Sequence, residues 1–438
     1  MTSFKTTLLS QAAAFAVLAC ATFAAGAADQ TVPGAGNAAA TELAQHSPLV
    51  RSALAFLAGQ AQQIQDAALR NASTDILVNQ HACALHRVGL ATSDAQAAVV
   101  AQLLAAGLIN ATDAANFPGG AATGIFPPVL QASSFCPQLP QPFFSAPGSG
   151  TGGHHSYPGG LAVHTSNNDT SDVNLEAQYQ AVYGHAGANG LPHVEEEHVH
   201  HGAAKPGDLG IDHDVILAAP IWHDWAKSIV FQWNADGTEF AEFNFGGNGS
   251  TDAWGAAGDS RTGAHHILSI AETMARGLAP LMVITQASAH AAPTLGNEYK
   301  VVNWLRAAAI VARIDPVKAG YLVTDAAGHL RLPALGGLAD VDLNAAGQTN
   351  LRIEYTMHNL SDADFTYSIP AVSEAGVLLA KLAPEFGYDP ASAAAYNTHY
   401  RNPALSYLSG ERLLALYGTQ GLAAVRAELQ ALRARGVI

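Results

Sequence analysis

The chain has 438 residues, of which 49% are hydrophobic and 13% are charged, and its formal net charge is −15 with histidine counted as neutral. This composition supports a large buried core and excludes a disordered chain, while the negative charge argues against nucleic acid as a partner. The 19 histidines nearly match the 20 lysines and arginines, so protonation of the imidazoles should change the surface charge strongly below neutral pH.

Residues 1–27 have the arrangement of a secretory signal peptide. Lys5 precedes a stretch rich in Ala, Leu, Phe and Val, and small residues follow up to Ala27. We therefore expect export to the periplasm or the medium after cleavage near Ala27. A lipoprotein with Cys20 as the lipid-bearing residue is a weaker match. Later segments lack 18 uninterrupted apolar residues, so no membrane span is expected in the mature protein.

Cys83 and Cys136 are the two cysteines that remain after this cleavage. In an oxidising compartment two remaining thiols pair most simply with each other. No CxxC spacing is present, which argues against cysteine as a metal ligand. A disulfide in the N-terminal part of the chain is therefore expected.

The first half of the mature chain divides into two regions. Residues 28–115 are Ala-rich with apolar residues at helical intervals, which predicts several short helices, the last of them capped by the segment Thr92-Ser93-Asp94. Residues 116–157 are rich in Pro, Gly, Phe and Ser, which predicts a long loop or linker.

Two further regions complete the chain, and together they predict a mainly α fold. Residues 158–320 are helix-rich, but alternating residues around Ala235-Asp236-Gly237 predict a small β-hairpin inserted among the helices. Residues 321–438 form a mixed C-terminal region. There LRIEYTMHN and DADFTYSIP predict one or two strands, and Ala/Leu-rich helices follow to the end.

Histidine and aspartate residues of the central block predict a metal site. Imidazole and carboxylate are ligands of divalent ions such as Zn, Mn, Fe and Co. The candidates from composition and position are His164, His223, Asp224, His265, His266, His290 and Asp315. Because they are widely separated along the chain, they must converge from different helices, as in the metal sites of helical bundles.

His223 and Asp224 pose a geometric problem because they are adjacent. Neighbouring side chains on a helix point about 100° apart. Both can therefore reach one site only if the metal ion lies between their two directions, or if two ions share the carboxylate. A bridging Asp224 is the natural solution. The run around this pair is apolar, and burying both groups is costly unless they are paired or bound to metal.

The order of these residues resembles the HD-domain superfamily of metal-dependent phosphohydrolases. The family pattern is matched by YPGGLAVHT with His164, by HDWAK with Lys227, and by Asp315. Members of the family with two metals have two further histidines. These are matched by HHIL, best through His266, and by SAH through His290. The match covers roughly residues 150–320. It implies a helical bundle that holds one or two divalent ions (Mn, Zn, Fe or Co). The ligands that the resemblance implies are His164, His223, Asp224, His266, His290 and Asp315.

The chain also departs from the family pattern. Trp225 stands where a slimmer residue is common, and an insertion lengthens the interval after His164. That insertion carries an acidic, histidine-rich loop at about residues 190–205, which is either a lid or accessory metal site, or a plain polar loop. The adjacent His265 and His266 remain alternatives for one ligand, and His154 or His155 can instead bind substrate.

The resemblance implies hydrolysis of a small phosphorylated molecule by a hydroxide on the metal. Asp224 would bridge or orient this nucleophile, and Lys227 and Arg261 would offset developing negative charge. A plainer interpretation gives neither residue a role in catalysis, with the Lys227 ammonium in water and Arg261 in a surface ion pair. Two other functions stay open: a di-iron oxygenase built from the same ligands, and an exported metal-binding protein without catalysis.

Overall fold

The computed structural model describes residues 34–117, 119–126, 135–184, 209–246, 260–333 and 352–438. The predicted signal peptide, Cys20 and the acidic histidine-rich loop lie outside these described residues. Within the described ranges, no helix combines the length and the hydropathy that crossing a bilayer requires.

The N-terminal region is helical, as its periodicity predicts. Its helices are α1 (Asn37–His46), α2 (Pro48–Gln63), α3 (Ala67–Val78), α4 (Cys83–Arg87), α5 (Ser93–Ala105) and α6 (Ala121–Ile125), with 3₁₀ turns at Ala111–Asn116 and Phe143–Ser145. The Thr92 hydroxyl accepts the N–H of Ala95 and so caps α5, which confirms the predicted cap. Side chains of Ser47 and Asp66 cap α2 and α3 in the same way.

The central region carries the helices that form the candidate site. They are α7 (Gly160–Tyr179), continued by a π-helical turn at Gln180–Gly184, then α8 (His213–His223), α9 (Lys227–Val230), α10 (Ala264–Ala275), α11 (Pro280–Ala287) and α12 (Glu298–Ala312). Strand β1 (Asn244–Phe245) pairs antiparallel with β2 (Thr262–Gly263), and Phe245 lies opposite Thr262. This pairing holds the chain in place directly before α10.

The C-terminal region begins with a second small antiparallel pair, β3 (Val323–Thr324) and β4 (Leu330–Arg331). Its helices are α13 (Ile353–Ser361), α14 (Phe365–Phe386), α15 (Ala393–Tyr396), α16 (Asn402–Leu408), α17 (Gly410–Gln420) and α18 (Leu422–Ala434), with a 3₁₀ turn at Asp362–Asp364 and a π-helical turn at Asn397–Arg401. The described chain is therefore mainly α, as predicted.

The strands predicted at LRIEYTMHN and DADFTYSIP are wrong. From residue 353 the first segment lies in α13, and the second lies in the 3₁₀ turn Asp362–Asp364 and the start of α14. In α13 the buried residues include Tyr355, His358 and Ser361, which is the spacing of one helix face. In α14 the alternating apolar residues are the exposed ones, whereas the buried face runs through Ser368, Ala371, Val372 and Ala375. Alternation in the sequence thus reflected apolar residues on a helix surface.

The hairpin predicted around Ala235-Asp236-Gly237 exists as a tight turn with one bridge, between Trp233 and Glu239. The N–H of Gly237 donates to the carbonyl of Asn234, which closes the turn. The N–H of Phe240 donates to the Gln232 carbonyl beyond this bridge, but the Trp233 carbonyl accepts the N–H groups of Gly34 and Gly36, so the arms do not form regular strands.

Helix α7 lies at the centre of the helical packing, in contact with α2, α8 and α13, while α10 packs against α4, α8 and α12. The main core contains large buried side chains from these helices and their connections: Leu57, Ile64, Ile76, Trp222, Trp225, Phe243 and Phe245. Trp225, the unusual residue of the HDWAK segment, is therefore a core residue. A second apolar cluster joins Tyr157 to α14, α16 and α18.

The expected disulfide joins Cys83 and Cys136. Cys83 opens α4, and the carboxylate of Glu272 in α10 accepts the N–H groups of Cys83 and Ala84. Arg276 pairs with the same carboxylate at 2.8 Å. The disulfide and this ion pair together attach α4 and the chain near Cys136 to the helix that carries His265.

Candidate metal centre

The PGGL segment explains how His164 is placed. Gly159 adopts a φ of +87° at the N-cap of α7, a conformation that favours glycine. A Cβ on Gly160 would lie 1.8 Å from the carbonyl oxygen of His155, so the close approach of these two segments requires glycine there as well. The turn thereby starts α7 at a fixed point and buries His164 in its second turn.

His223 and Asp224 do not share a regular helix, which resolves their geometric conflict. Helix α8 ends at His223, and Asp224 is its C-cap with φ −108° and ψ 4°. The N–H of Asp224 donates to the Trp222 carbonyl, and the carbonyl of Pro220 accepts Nδ1–H of His223 at 2.8 Å. Both side chains therefore turn into the same buried space.

Three further elements add the remaining groups of the cluster. His265 lies in the first turn of α10, and His290 lies in the loop after α11. Asp362 follows the end of α13. His290 is the most open of these rings, with 26% of its side chain exposed, whereas the side chains of His265 and Asp362 are at most 9% exposed.

His164, His223, Asp224 and Asp362 form a four-residue group that we call position 1. Each offers one atom, and these atoms lie within 4.8 Å of one another. Asp224 Oδ2 is 3.1 Å from Nε2 of His164 and 3.2 Å from Nε2 of His223. Asp362 Oδ1 is 3.2 Å and 3.3 Å from the same two atoms. Two imidazoles and two carboxylates thus face one point.

Asp224, His265 and His290 form a second group, which we call position 2. The other carboxylate oxygen of Asp224, Oδ1, is 3.1 Å from Nε2 of His265. The other oxygen of Asp362, Oδ2, is 3.9 Å from Nε2 of His290. Both aspartates therefore turn one oxygen to each position, which is the arrangement of carboxylates shared between two neighbouring cations.

All four imidazoles have the same orientation, with Nε2 facing into the cluster and Nδ1 facing an oxygen outside it. Nδ1 of His164 is 3.3 Å from Asp364, and Nδ1 of His265 is 2.7 Å from Glu242. Nδ1 of His223 meets the Pro220 carbonyl, and that of His290 meets Thr262. Metal-binding histidines typically donate Nδ1–H in the way that His223, His265 and His290 do, which leaves the Nε2 lone pair for a cation.

Burial and charge shift the titration of this cluster strongly. Burial raises the pKa of Asp224, but the neighbouring His223, Lys227 and His265 outweigh burial and hold its pKa well below the usual range. Burial lowers the pKa of His223, but Asp224 and Asp362 raise it to about 9. The two carboxylates are therefore anionic and need positive charge beside them.

The donor set fits divalent cations. Within the described residues, Nε2 of His265 and both carboxylate oxygens of Asp224 are buried without a hydrogen bond of good geometry. Lys227 forms an ion pair with Oδ2 of Asp224, but among the described residues Oδ1 of Asp224 and Nε2 of His265 have no such partner, and buried acceptors of this kind are rare. Imidazole nitrogens with carboxylate oxygens suit Zn, Mn, Fe and Co.

Lys227 lies beside position 1 and not in water. Its side chain is 3% exposed, and Nζ forms an ion pair with Oδ2 of Asp224. Lys227 begins the short helix α9, three residues beyond the aspartate it contacts. The HDWAK segment itself therefore places a lysine ammonium at the cluster.

Asp315 and Arg261 are the predicted site residues that the structure places elsewhere. Asp315 is exposed just beyond α12, and its carboxylate accepts the N–H groups of Val317 and Lys318. The last aspartate of the cluster is instead Asp362. The Arg261 side chain is 39% exposed, with its guanidinium 3.6 Å from Asp113, which corresponds to a surface ion pair.

The HH pair contributes to the cluster through His265, whereas the sequence motif was matched best through His266. Nδ1 of His266 is 3.0 Å from the Thr262 hydroxyl, and its ring packs edge-on against Trp304. His154 and His155 flank His164, with ring centroids at 4.5 Å and 5.5 Å.

Sequence reasoning missed three carboxylates: Asp362, Asp364 and Glu242. Asp362 and Asp364 sit in DADFTYSIP, which was interpreted as a strand, and Glu242 lies after the turn near Gly237. Two closely spaced aspartates directly after His358 were the available signal. Comparisons of this chain with protein-family models, with curated proteins and with solved structures found no match.

Proposed function

We propose that this protein is a metal-dependent phosphohydrolase of the HD type that hydrolyses a small phosphate ester. The observation that carries the proposal is the common orientation of the four imidazoles in the cluster. Four imidazoles, three of them buried, direct Nε2 toward two aspartates, and each aspartate turns one oxygen to either position. The order of His164, His223, Asp224 and the later histidines supports the HD assignment.

His164, His223, Asp224 and Asp362 would hold one divalent ion, and Asp224, His265 and His290 would hold a second. Bound ions of this kind supply Lewis acidity, because they lower the pKa of water toward neutrality and offset charge on phosphoryl oxygens. The chain's own carboxylates Glu242 and Asp364 keep two of these imidazoles in the required orientation.

Lys227 is the residue that we assign to the substrate. Its buried ammonium lies against Asp224 at the edge of position 1, so an anionic phosphoryl oxygen entering there would meet a preplaced positive charge. A fixed cation in a dry site stabilises charge that develops in the transition state. Asn168 supports this site, because its Nδ2 donates to Asp362 Oδ1 at 3.0 Å and so fixes that carboxylate.

Phosphatase and phosphodiesterase assays on protein loaded with Mn, Zn or Co test the proposal. We expect phosphate or alcohol release from wild type and a loss of at least 100-fold in His223→Ala, because two carboxylates then lose a partner. The matched control is His46→Ala, since His46 is 61% exposed on α1 and should keep full activity. Equal activity of wild type and His223→Ala would overturn the assignment.

The same assays separate the hydrolase from the two other functions. Bound iron with consumption of dioxygen, and no phosphate release, would favour the oxygenase. Bound metal without either activity would favour a metal-binding protein.

A further inference from the structure

Thr262 connects two histidines of which only one belongs to position 2. Its hydroxyl oxygen lies 2.8 Å from Nδ1 of His290 and 3.0 Å from Nδ1 of His266. Thr262 is buried and is held by β2, directly before α10. The hydroxyl is therefore fixed between the two rings by the backbone.

A hydroxyl carries one proton and two lone pairs, and within the described residues these two nitrogens are the only hydrogen-bond partners of the Thr262 hydroxyl. Thr262 therefore donates to one of them and accepts from the other. Two directions are possible. In one, His290 donates Nδ1–H to Thr262, and Thr262 donates to His266. In the other, the order is reversed, and the remaining proton of a neutral His290 sits on Nε2.

The surroundings of Nε2 decide between these directions. Nε2 of His290 faces the space it shares with Asp224, His265 and Asp362. A cation there needs the lone pair of Nε2 and excludes a proton from it, so the His290 proton belongs on Nδ1. The hydrogen-bond chain then runs from His290 through Thr262 to His266.

His266 receives the last hydrogen bond of this chain. Its proton then lies on Nε2, an atom that is buried without a hydrogen-bond partner within the described residues. The ring packs edge-on against Trp304 with centroids 4.9 Å apart, which fixes its orientation. Among the described residues Nε2 of His266 lacks a partner in either direction, so the direction of the chain is set at His290.

We propose that Thr262 and His266 form a positioning relay, in which the Thr262 hydroxyl between the two Nδ1 atoms fixes His290 in the tautomer that can bind a cation. This inference rests on the proposed metal function. It assigns different roles to the adjacent histidines, with His265 a ligand and His266 a positioning residue.

Titration of metal-free protein with Co²⁺, followed by visible absorption, tests the relay. Wild type should bind two equivalents. Thr262→Val should weaken the second equivalent by 10- to 100-fold, the range for residues that orient a ligand, and leave the first unchanged. Thr262→Ser should restore wild-type binding because it keeps the hydroxyl. Thr285→Val is the matched control, since within the described residues that buried hydroxyl donates only to the Leu281 carbonyl of its own helix.

His266→Phe keeps a ring beside Trp304 but removes the acceptor, so it should give the same loss as Thr262→Val. The double variant should lose no more than either single variant, because both break one chain. Complete loss of the second equivalent in His266→Phe alone would make His266 a ligand and overturn the relay. Equal loss in Thr262→Val and Thr262→Ser would also overturn it.

The two proposals fail differently in this experiment. If wild type binds no divalent ion, the proposed function fails and the relay fails with it. If wild type and Thr262→Val both bind two equivalents with equal affinity, only the relay fails. If wild type binds a single equivalent of Co²⁺, His290 has no second cation to hold, and only the relay is overturned.

Discussion

Oδ1 of Asp362 lies 3.2 Å from Nε2 of His164, although the aspartate belongs to the C-terminal region, outside the segment that resembles the HD family. The contact forms because α13 packs against α7 and ends beside position 1. The C-terminal region therefore completes the candidate centre.

This relationship predicts that Asp362→Asn weakens metal binding by 10- to 100-fold or more, because one anionic oxygen is lost from each position. Asp315→Asn is the matched control, since Asp315 is exposed and accepts only backbone N–H groups of its own turn within the described residues. Metal affinity measured by competition with a chelator checks both. Loss of affinity in Asp315→Asn, with none in Asp362→Asn, would restore the sequence-based assignment.

Lys227→Met should keep the metal and lose catalysis. The substitution removes an ammonium that contacts Asp224, but it removes none of the nitrogen and oxygen atoms that would bind the metal. Removal of one preplaced charge typically lowers kcat by about 10²- to 10³-fold. Steady-state kinetics with metal analysis on the same sample measures this, and an unchanged kcat would remove Lys227 from the reaction.

Asp169 predicts a dependence of stability on pH. Burial raises its pKa to about 8, while Gln60 donates to it at 2.8 Å and Asp172 adds a like charge. An unfolded aspartate titrates near about 4, so the folded state binds more protons between these values. This contribution to the free energy of unfolding is fully present below about pH 4 and is lost as the pH rises through about 8.

Asp169→Asn removes the titration and retains an acceptor for Gln60. The free energy of unfolding of the variant should therefore rise relative to wild type from pH 5 to pH 8, by at most about 1.4 kcal/mol per pH unit. Urea denaturation of both proteins at several pH values measures the difference. A difference that is constant across this range would contradict the raised pKa.

The Cys83–Cys136 disulfide should stabilise the fold without entering the chemistry. Its removal in a double Cys→Ala variant should lower the free energy of unfolding by about 2–4 kcal/mol and leave metal stoichiometry unchanged. Denaturation with and without reductant measures this, and the double variant is the control because reductant has no bond to break there. A wild-type protein indifferent to reductant would argue against the bond.

Much of the fold followed from local patterns in the sequence. Apolar periodicity identified the N-terminal helices, and Thr92 marked a helix start that its hydroxyl does cap. His164 is likewise placed by a local signal, the Gly159-Gly160 turn directly before it.

The remaining parts depend on contacts between distant segments. Asp362 and Asp315 both lie just beyond the end of a helix, and only the packing of α13 on α7 brings Asp362 to the cluster. His265 and His266 are adjacent, and the choice between them depends on Glu242, which comes from another segment and contacts His265 alone of the two. Local sequence does not contain this information.

Elemental analysis of purified protein tests the central claim most directly, when wild type is compared with His223→Ala and with the exposed control His46→Ala. The proposal predicts one or two Mn, Zn, Fe or Co ions per chain in wild type and in the control, and a clear loss in His223→Ala. Protein that stays free of divalent metal after loading, or a His223→Ala variant with wild-type metal content, would contradict it.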